Sequence, residues 1–440
     1  MLGFVFLLVF SAYLTIQMFS ADLYGSRDAS NIEAALYLSF TACCFVSPAI
    51  TSKLGTKLTL FLGTLGYLAL VAVSLLFFEA DCSAAFKSIL ICGGAVNGAG
   101  AALLWTAQGK LILQYSDGNN NGRLFSIFWS IFNCAALLGG GLTFFYFSGR
   151  SSENDAANQS CSTAGSTQLY VIFLSILSCA AFFTLVLPLH PLRGSRDSAP
   201  LLSSSSYSSS SSSASQDAQK GEEMTLFGEF KQTVKLFKTK RMLNLSLLFL
   251  YTGYNQPYQL NTYGNRLLEN QTVGLAMIVF YASEIVGGLY VGSMLDSSRG
   301  DTEAQRKVSK RCLSLLFLAT SASFVLCFFD ELPCAWVSGD CVKKINYYEI
   351  EAIRPLVTFA LWGFSDSQVQ VYSYWLLGTQ ARASCEEART IGFYKMVQSL
   401  GWTLGFFLMS RMEPMLQMAC TLACFVAGLG LALRELPHSR

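Results

Sequence analysis

Apolar residues in this chain gather into long blocks separated by short polar stretches. The blocks run to about 17–25 residues, the length of an α-helix that crosses the ~30 Å hydrocarbon core of a bilayer. In lipid every backbone N–H and C=O must be satisfied within the segment, so each block is expected to be helical. Twelve spans follow, near residues 2–20, 32–50, 56–78, 86–108, 125–147, 168–188, 242–263, 272–294, 312–329, 352–378, 390–409 and 414–433. The seventh is the least regular, being rich in Gln, Asn and Tyr. The first starts almost at Met1, yet it lacks a basic leader, and Ser20-Ala21-Asp22 is a poor cleavage context. It therefore reads as a span rather than a signal peptide.

The longest polar stretch, 189–241, divides six spans from six. The expected layout is a bundle over 1–188, a linker over 189–241, a second bundle over 242–433 and a tail over 434–440. The linker centre is nearly all serine, from Ser203 to Ser213, and cannot bury enough apolar surface to order itself. Asp197-Ser198-Ala199-Pro200-Leu201-Leu202 has the spacing of an acidic dileucine sorting signal, or is a chance match in a polar loop. Further on, Phe227, Phe230, Val234 and Phe237 recur at helical spacing among Lys231, Lys235, Lys238 and Lys240. That pattern predicts a short helix lying on the inner leaflet, the alternative being a ragged start to the seventh span.

Composition agrees with a membrane protein: 52% of residues are hydrophobic and 13% charged, about half the charged share of a soluble domain, roughly 25%. The net charge of +2 says little, but the placement of Lys and Arg says more. With both termini inside, only Arg27, Lys87, Arg150, Arg266, Lys343, Lys344, Arg354 and Arg411 fall outside, leaving the other 22 of 30 on the inner side. The positive-inside rule thus predicts N-in and C-in. That orientation puts the sequons at Asn158 and Asn270 on outer loops as glycosylation candidates, and Cys334 and Cys341 on one outer loop as a candidate disulfide. Most of the 14 cysteines lie inside spans, as small apolar residues.

The two halves echo each other at their inner turns. Lys53, Gly55 and Lys57 stand between spans two and three. Gly288, Gly292, Asp296 and Arg299 stand between spans eight and nine. Glycines four apart let helices approach closely, and Asp296 is expected to pair with a nearby Arg or Lys and latch the halves together. Parallel repeats of this kind belong to major-facilitator architectures.

Several segments carry a family resemblance. Leu104-Trp105-Thr106-Ala107-Gln108-Gly109-Lys110, followed by Asn121-Gly122-Arg123 and Ile127-Phe128-Trp129, resembles the fourth and fifth spans of the Unc-ninety-three-like family, ion-channel-regulator-like members of the major facilitator superfamily. Tyr281 to Gly288 is similar to their eighth span. Leu361 to Ser367 with Tyr374 to Gly378 resembles the tenth, and Gly392-Phe393-Tyr394-Lys395 with Gln398 to Gly401 the eleventh. With the first three spans, the likeness runs through most of the chain outside the linker. Two departures stand out: almost nothing precedes the first span, and Thr51 and Ser52 occupy the region where the general superfamily signature places an acid. The resemblance implies an all-α, polytopic membrane fold of about twelve helices in two six-helix bundles. For function it implies either a carrier or a regulator and trafficking partner of another membrane protein, such as an ion channel.

The residues themselves present no enzyme motif. The two histidines, His190 and His438, lie outside the spans, and no P-loop or dinucleotide fingerprint is intact. No cofactor, metal site or nucleic-acid partner is expected. The informative residues are charges at membrane depth, which are costly unless paired or hydrated and so mark function by default. Glu284 lies near the middle of span eight and Asp366 near the middle of span ten. Lys395, toward the inner end of span eleven, reaches either network or snorkels to the interface. A carboxyl group in a low dielectric disfavours its charged form and can exchange a proton near neutral pH, which would suit proton or cation coupling; structural pairing is the alternative. A polar and aromatic set is expected to line a central cavity: Gln17, Asn97, Trp105, Gln108, Asn133, Tyr254, Asn255, Gln256, Tyr258, Gln259, Gln368, Gln370 and Tyr372. Pro257 in their midst invites a kink. Amides and rings without a fixed cation suit a neutral or amphipathic solute. Two readings stay open: a secondary-carrier-like transporter moving a small solute with a proton or cation, or a non-transporting partner of another membrane protein. Plasma and endolysosomal membranes are not distinguished by the sequence.

Overall fold

The computed structural model describes residues 1–18, 24, 26–80, 84–116, 120–148, 164–187, 226–298, 301–335, 344–380, 384–409 and 411–436. The Ser-rich stretch with its dileucine, Asn158, Arg299, Cys341 and the side chain of Cys334 lie outside these residues. The first half contains α1 (Leu2–Met18), α2 (Ser26–Cys43), α3 (Ser47–Glu79), α4 (Ala84–Tyr115), α5 (Asn121–Ser148) and α6 (Ala164–Val186). A short helix, α7 (Leu226–Phe237), precedes the second half. There follow α8 (Lys240–Gln256), a π-helical segment (Pro257–Tyr263) that runs into α9 (Gly264–Leu267), α10 (Asn270–Asp296), α11 (Thr302–Ala335), α12 (Ile353–Gln380), α13 (Ser384–Met409) and α14 (Pro414–Ala432).

Five of the described helices are long and apolar enough on their own to cross a membrane: Ser47–Glu79, Phe86–Tyr115, Asn270–Asp296, Thr302–Pro333 and Pro414–Glu435. Leu2–Gln17 and Tyr170–Val186 are shorter and apolar. Helices α8, α12 and α13 carry their polar residues on faces buried between helices, so a lower mean hydropathy is compatible with a place in the bundle. Exposed Leu38, Phe182, Val286, Leu318 and Val325 give the outside of the bundle an apolar surface, which a lipid environment accommodates.

Several boundaries differ from the hydropathy reading, each for a local reason. The second span starts at Ser26 rather than near 32, with Asp28 in the first turn of α2, where a carboxylate faces the positive end of the helix dipole. It ends at Cys43. The chain turns and restarts as α3 with Pro48 in its first turn, where the missing N–H is no loss. Helix α3 then breaks at Gly55, whose φ of 78° only glycine adopts cheaply. The seventh span is α8 plus the π-helical segment. Pro257 cannot donate to the carbonyl four residues back, and the widened turn begins at that residue. The expected kink is thus an expanded turn. Asn270 is not in a loop but is the exposed first residue of α10.

Helix packing follows the small residues. Helix α4 lies between α2 and α3, and a Cβ on Gly100 would come within 2.7 Å of the Gly63 carbonyl oxygen and the Gly66 Cα. The halves meet through α5 against α10 and through α13 against α2 and α4. Helix α7 packs on the bundle: Phe237 is buried between Phe45 and Phe393, while Lys231, Lys235 and Lys238 stay exposed. At one end of the second half, Arg266 pairs with Glu331 at 2.6 Å, and Arg354 and Tyr263 both bond Asp330. Leu268 and Ile345 form a short parallel bridge beside them.

Candidate functional site

Between the halves lies a cavity of about 910 Å³, within the range of about 300–1,000 Å³ typical of small-molecule sites. Residues of α1, α2, α4 and α5 face residues of α8, α10, α12 and α13 across it. Its mouth is framed by Ala29, Ser30, Asn265, Arg266, Arg411 and Pro414, all at the same end of the bundle. The opposite end is shut. There both carboxyl oxygens of Asp296 accept backbone N–H groups at the start of α5, from Gly122 at 3.1 Å and Arg123 at 2.7 Å. Gly292 allows that approach, since a Cβ there would lie 2.5 Å from Ser126 Oγ and 2.6 Å from the Gly122 carbonyl oxygen. The described contact of Asp296 across the interface is therefore a helix cap on backbone N–H groups. First-turn donors attract a carboxylate through unsatisfied N–H groups and the helix dipole. Gly288 lies near Ser367 and Trp129 on the same helix face. Lys53 is exposed and Lys57 partly so, and among the described residues neither has a carboxylate partner.

One network of polar side chains crosses the cavity wall. Glu284 on α10 is buried, and its Oε2 accepts from Trp129 Nε1 at 3.0 Å and Asn133 Nδ2 at 2.5 Å. These two donors come from α5, in the other half. The carboxyl groups of Glu284 and Asp366 lie side by side and interact directly. Asp366 also accepts from Asn255 Nδ2 at 3.3 Å and Gln256 Nε2 at 3.4 Å. Gln256 in turn accepts from Trp402 Nε1 at 2.9 Å, and Gln370 accepts from the Tyr394 hydroxyl. Helices α5, α8, α10, α12 and α13 thus converge on two carboxyl groups. Lys395 does not snorkel. It is 1% exposed, its Nζ donates to Gln398 Oε1 at 2.8 Å and lies 4.3 Å from the centre of the Trp105 ring. A four-carbon stem buried among the aromatic rings of Trp105, Tyr374 and Tyr394 holds the amine at depth.

The expected cavity set divides in two. Gln17, Trp105, Asn133, Gln256 and Gln370 line the cavity, with Glu284 and Lys395. Asn97, Gln108, Tyr254, Asn255, Tyr258, Gln259, Gln368 and Tyr372 do not. Asp366 sits behind the wall and reaches the cavity through Glu284. Gln108 accepts from Tyr374 across the two halves at 3.1 Å, Asn255 supports Asp366, and Tyr258 is packed against Trp362 with its hydroxyl 3.0 Å from Cys327 Sγ. Tyr254 faces α14, near Cys420 and Cys424. Periodicity tells which residues share a face, but not whether that face meets the cavity or a neighbouring helix. Several liners were not anticipated: Glu33, Tyr37, Tyr13, Tyr67, Trp129, Tyr281 and Trp402. Trp129 was legible only as part of a motif. Glu33 follows a polar run from Ser26 to Asn31 and reads as a helix start.

The whole chain is similar to solved carriers at the level of fold. The transporter FucP of the major facilitator superfamily, in its outward conformation, superposes with a TM-score of 0.63 at 12% identity, covering 99% of this chain and 97% of that one. A bacterial homologue of the iron transporter ferroportin, in the outward-facing state, gives 0.63 at 11% identity, with 99% and 98% covered. Among curated relatives, UNC93-like protein 1 of Arabidopsis thaliana is 26% identical over 88% of this chain and 78% of its own length. Protein unc-93 homolog A of Homo sapiens is 23% identical over 92% and 85%. The family model described as ion channel regulatory protein UNC-93 matches residues 30–431. The chain is an integral membrane protein of the major-facilitator fold, and it belongs to the UNC-93 family.

Proposed function

We propose that this protein is a secondary-carrier-like transporter, moving a small amphipathic solute by rocking its two six-helix halves, with the Glu284–Asp366 pair as the proton-coupling element. The observation that carries this reading is the placement of that pair. Glu284 lies in the wall of a cavity built from both halves with Asp366 directly behind it, and the Glu284 partners Trp129 and Asn133 belong to the opposite half. Two adjacent buried carboxyl groups repel each other when both are ionised, which favours a shared proton. Separating the halves would remove the α5 donors from Glu284 and change how readily the pair holds that proton. Substrate movement and proton release would then be linked by geometry. Lys395 supplies a third polar group to the same chamber. With N-in and C-in orientation, as the Lys and Arg distribution supports, the mouth faces outward and the Asp296 cap seals the inner side.

The test is uptake into proteoliposomes under an imposed pH gradient, using solutes first chosen by thermal stabilisation of the purified protein. A ligand that binds only the folded state raises the midpoint with concentration. Gradient-driven uptake is expected in the wild type and absent in Glu284→Gln and Asp366→Asn. Equal gradient-driven uptake in both variants would remove the coupling role.

The family's description as ion channel regulatory supports a second reading, a non-transporting partner of another membrane protein. It predicts a stably co-purifying membrane protein and tolerance of substitutions at Glu284 and Gln256.

A further inference from the structure

Glu33 is the cavity carboxylate that proton coupling through Glu284 and Asp366 leaves unused. It stands on α2 in the first half, among the cavity liners. Gln17 Nε2 donates to Glu33 Oε2 at 2.9 Å and to the Tyr37 hydroxyl at 3.1 Å. Tyr13 lies close to Tyr37 and Glu33. Among the described residues no Lys or Arg pairs with Glu33. The cations that share the cavity have other engagements. Arg266 is paired with Glu331 at 2.6 Å. Arg411 lies 4.1 Å over the Phe407 ring and donates to the Phe407 carbonyl at 2.8 Å. Lys395 is held by Gln398 and the Trp105 ring.

The wall around Glu33 is aromatic and comes from both halves. Tyr37 lies 5.3 Å from Trp402 and 5.5 Å from Phe406, and Tyr13 lies 5.2 Å from Tyr67. All five rings line the cavity. Ring faces attract a cation through their quadrupole, most strongly where water is scarce, and a carboxylate with no basic partner supplies the counter-charge. A neutral solute would leave Glu33 without that partner. An anionic solute would meet like charge.

We propose that Glu33, Tyr13, Tyr37, Tyr67 and Trp402 form a subsite for the organic ammonium group of an amphipathic cation, whose apolar remainder occupies the rest of the chamber. This names a substrate class for the cavity and rests on the carrier reading.

The test is equilibrium binding of radiolabelled choline to the full-length protein in detergent. Competition by tetraethylammonium and by dimethylbutanol, the neutral carbon isostere of choline, is measured alongside. Saturable choline binding is expected, with the isostere weaker by roughly tenfold or more. Glu33→Gln, which preserves shape and the Gln17 contact, should abolish that preference. Asp28→Asn removes an acid from the same helix that pairs with Lys87, and should leave the preference unchanged. Should Glu33→Gln not fold, Trp402→Leu is expected to weaken choline several-fold with little effect on the isostere. Equal binding of choline and its isostere, or a preference that survives Glu33→Gln, would overturn the subsite. Absence of choline and tetraethylammonium binding while neutral or anionic solutes still stabilise the protein would overturn the ammonium class and leave the carrier reading standing. Absence of binding by any solute would count against both.

Discussion

Glu284 shows how much one residue's meaning depends on its acceptors and donors. Its carboxyl receives the Trp129 and Asn133 N–H groups and lies beside the carboxyl of Asp366. Glu284→Ala would leave those donors buried and unpaired. A buried unsatisfied group costs about 1–3 kcal/mol, so the thermal midpoint in detergent should fall clearly. Glu284→Gln keeps an acceptor oxygen for Trp129 and Asn133. It should stay close to wild type in stability while losing gradient-driven uptake. The two substitutions therefore separate a structural role from a coupling role, because a merely structural glutamate would lose little in either assay when replaced by glutamine. Glu284 and Asp366 were legible in the sequence because a carboxylate inside an apolar block has no bland surface explanation. Glu33 was not, because the polar run from Ser26 to Asn31 leads straight into it and only the packing turns it inward. Lys395 was legible as a charge but not in its placement, which depends on Trp105 and Tyr374 from two other stretches of chain.

Among the elements, a helix cap that crosses the interface ties the closed end. Asp296 ends α10 and accepts from the first turn of α5. A capping carboxylate is worth about 1 kcal/mol, enough to change a near-balanced conformational equilibrium about five-fold. Asp296→Ala should therefore shift the population toward the state open at the opposite end. Spin labels at Lys57 and Lys307, on the two halves at that end, should report a longer distance distribution than in the wild type. An unchanged distribution would show that the cap contributes to folding alone. The Gly288 and Gly292 spacing announced a close helix approach in the sequence. The cap itself was hidden, because its donors are backbone N–H groups of a distant segment with no side-chain signature. The seventh span was similar: its proline marked an irregularity, and packing against α13 and α14 fixed that irregularity as a π-helical turn.

For the whole molecule, function requires the halves to move as bodies about the cavity. Thr41 on α2 and Ser399 on α13 place their hydroxyl oxygens 2.7 Å apart across the halves. Replacing both with cysteine puts two thiols within bonding range. Oxidation should arrest uptake, and a reductant should restore it. Uptake that persists with the bond formed would contradict rocking of the halves along this contact. The sequence by itself determined that the chain crosses a membrane as about twelve helices in two sets, because hydrogen bonding in lipid leaves block length and apolarity few other outcomes. It also marked the carboxylates whose burial demands an explanation. Tertiary structure alone decided which face of each polar helix meets the cavity and which meets a neighbour. It left Asn97, Gln108 and Gln259 inside the packing, brought Glu33 into the chamber, and set donors from both halves around the Glu284 and Asp366 carboxyl groups. Those outcomes depend on helix rotation and on contacts between segments far apart in the chain, which local hydropathy does not encode.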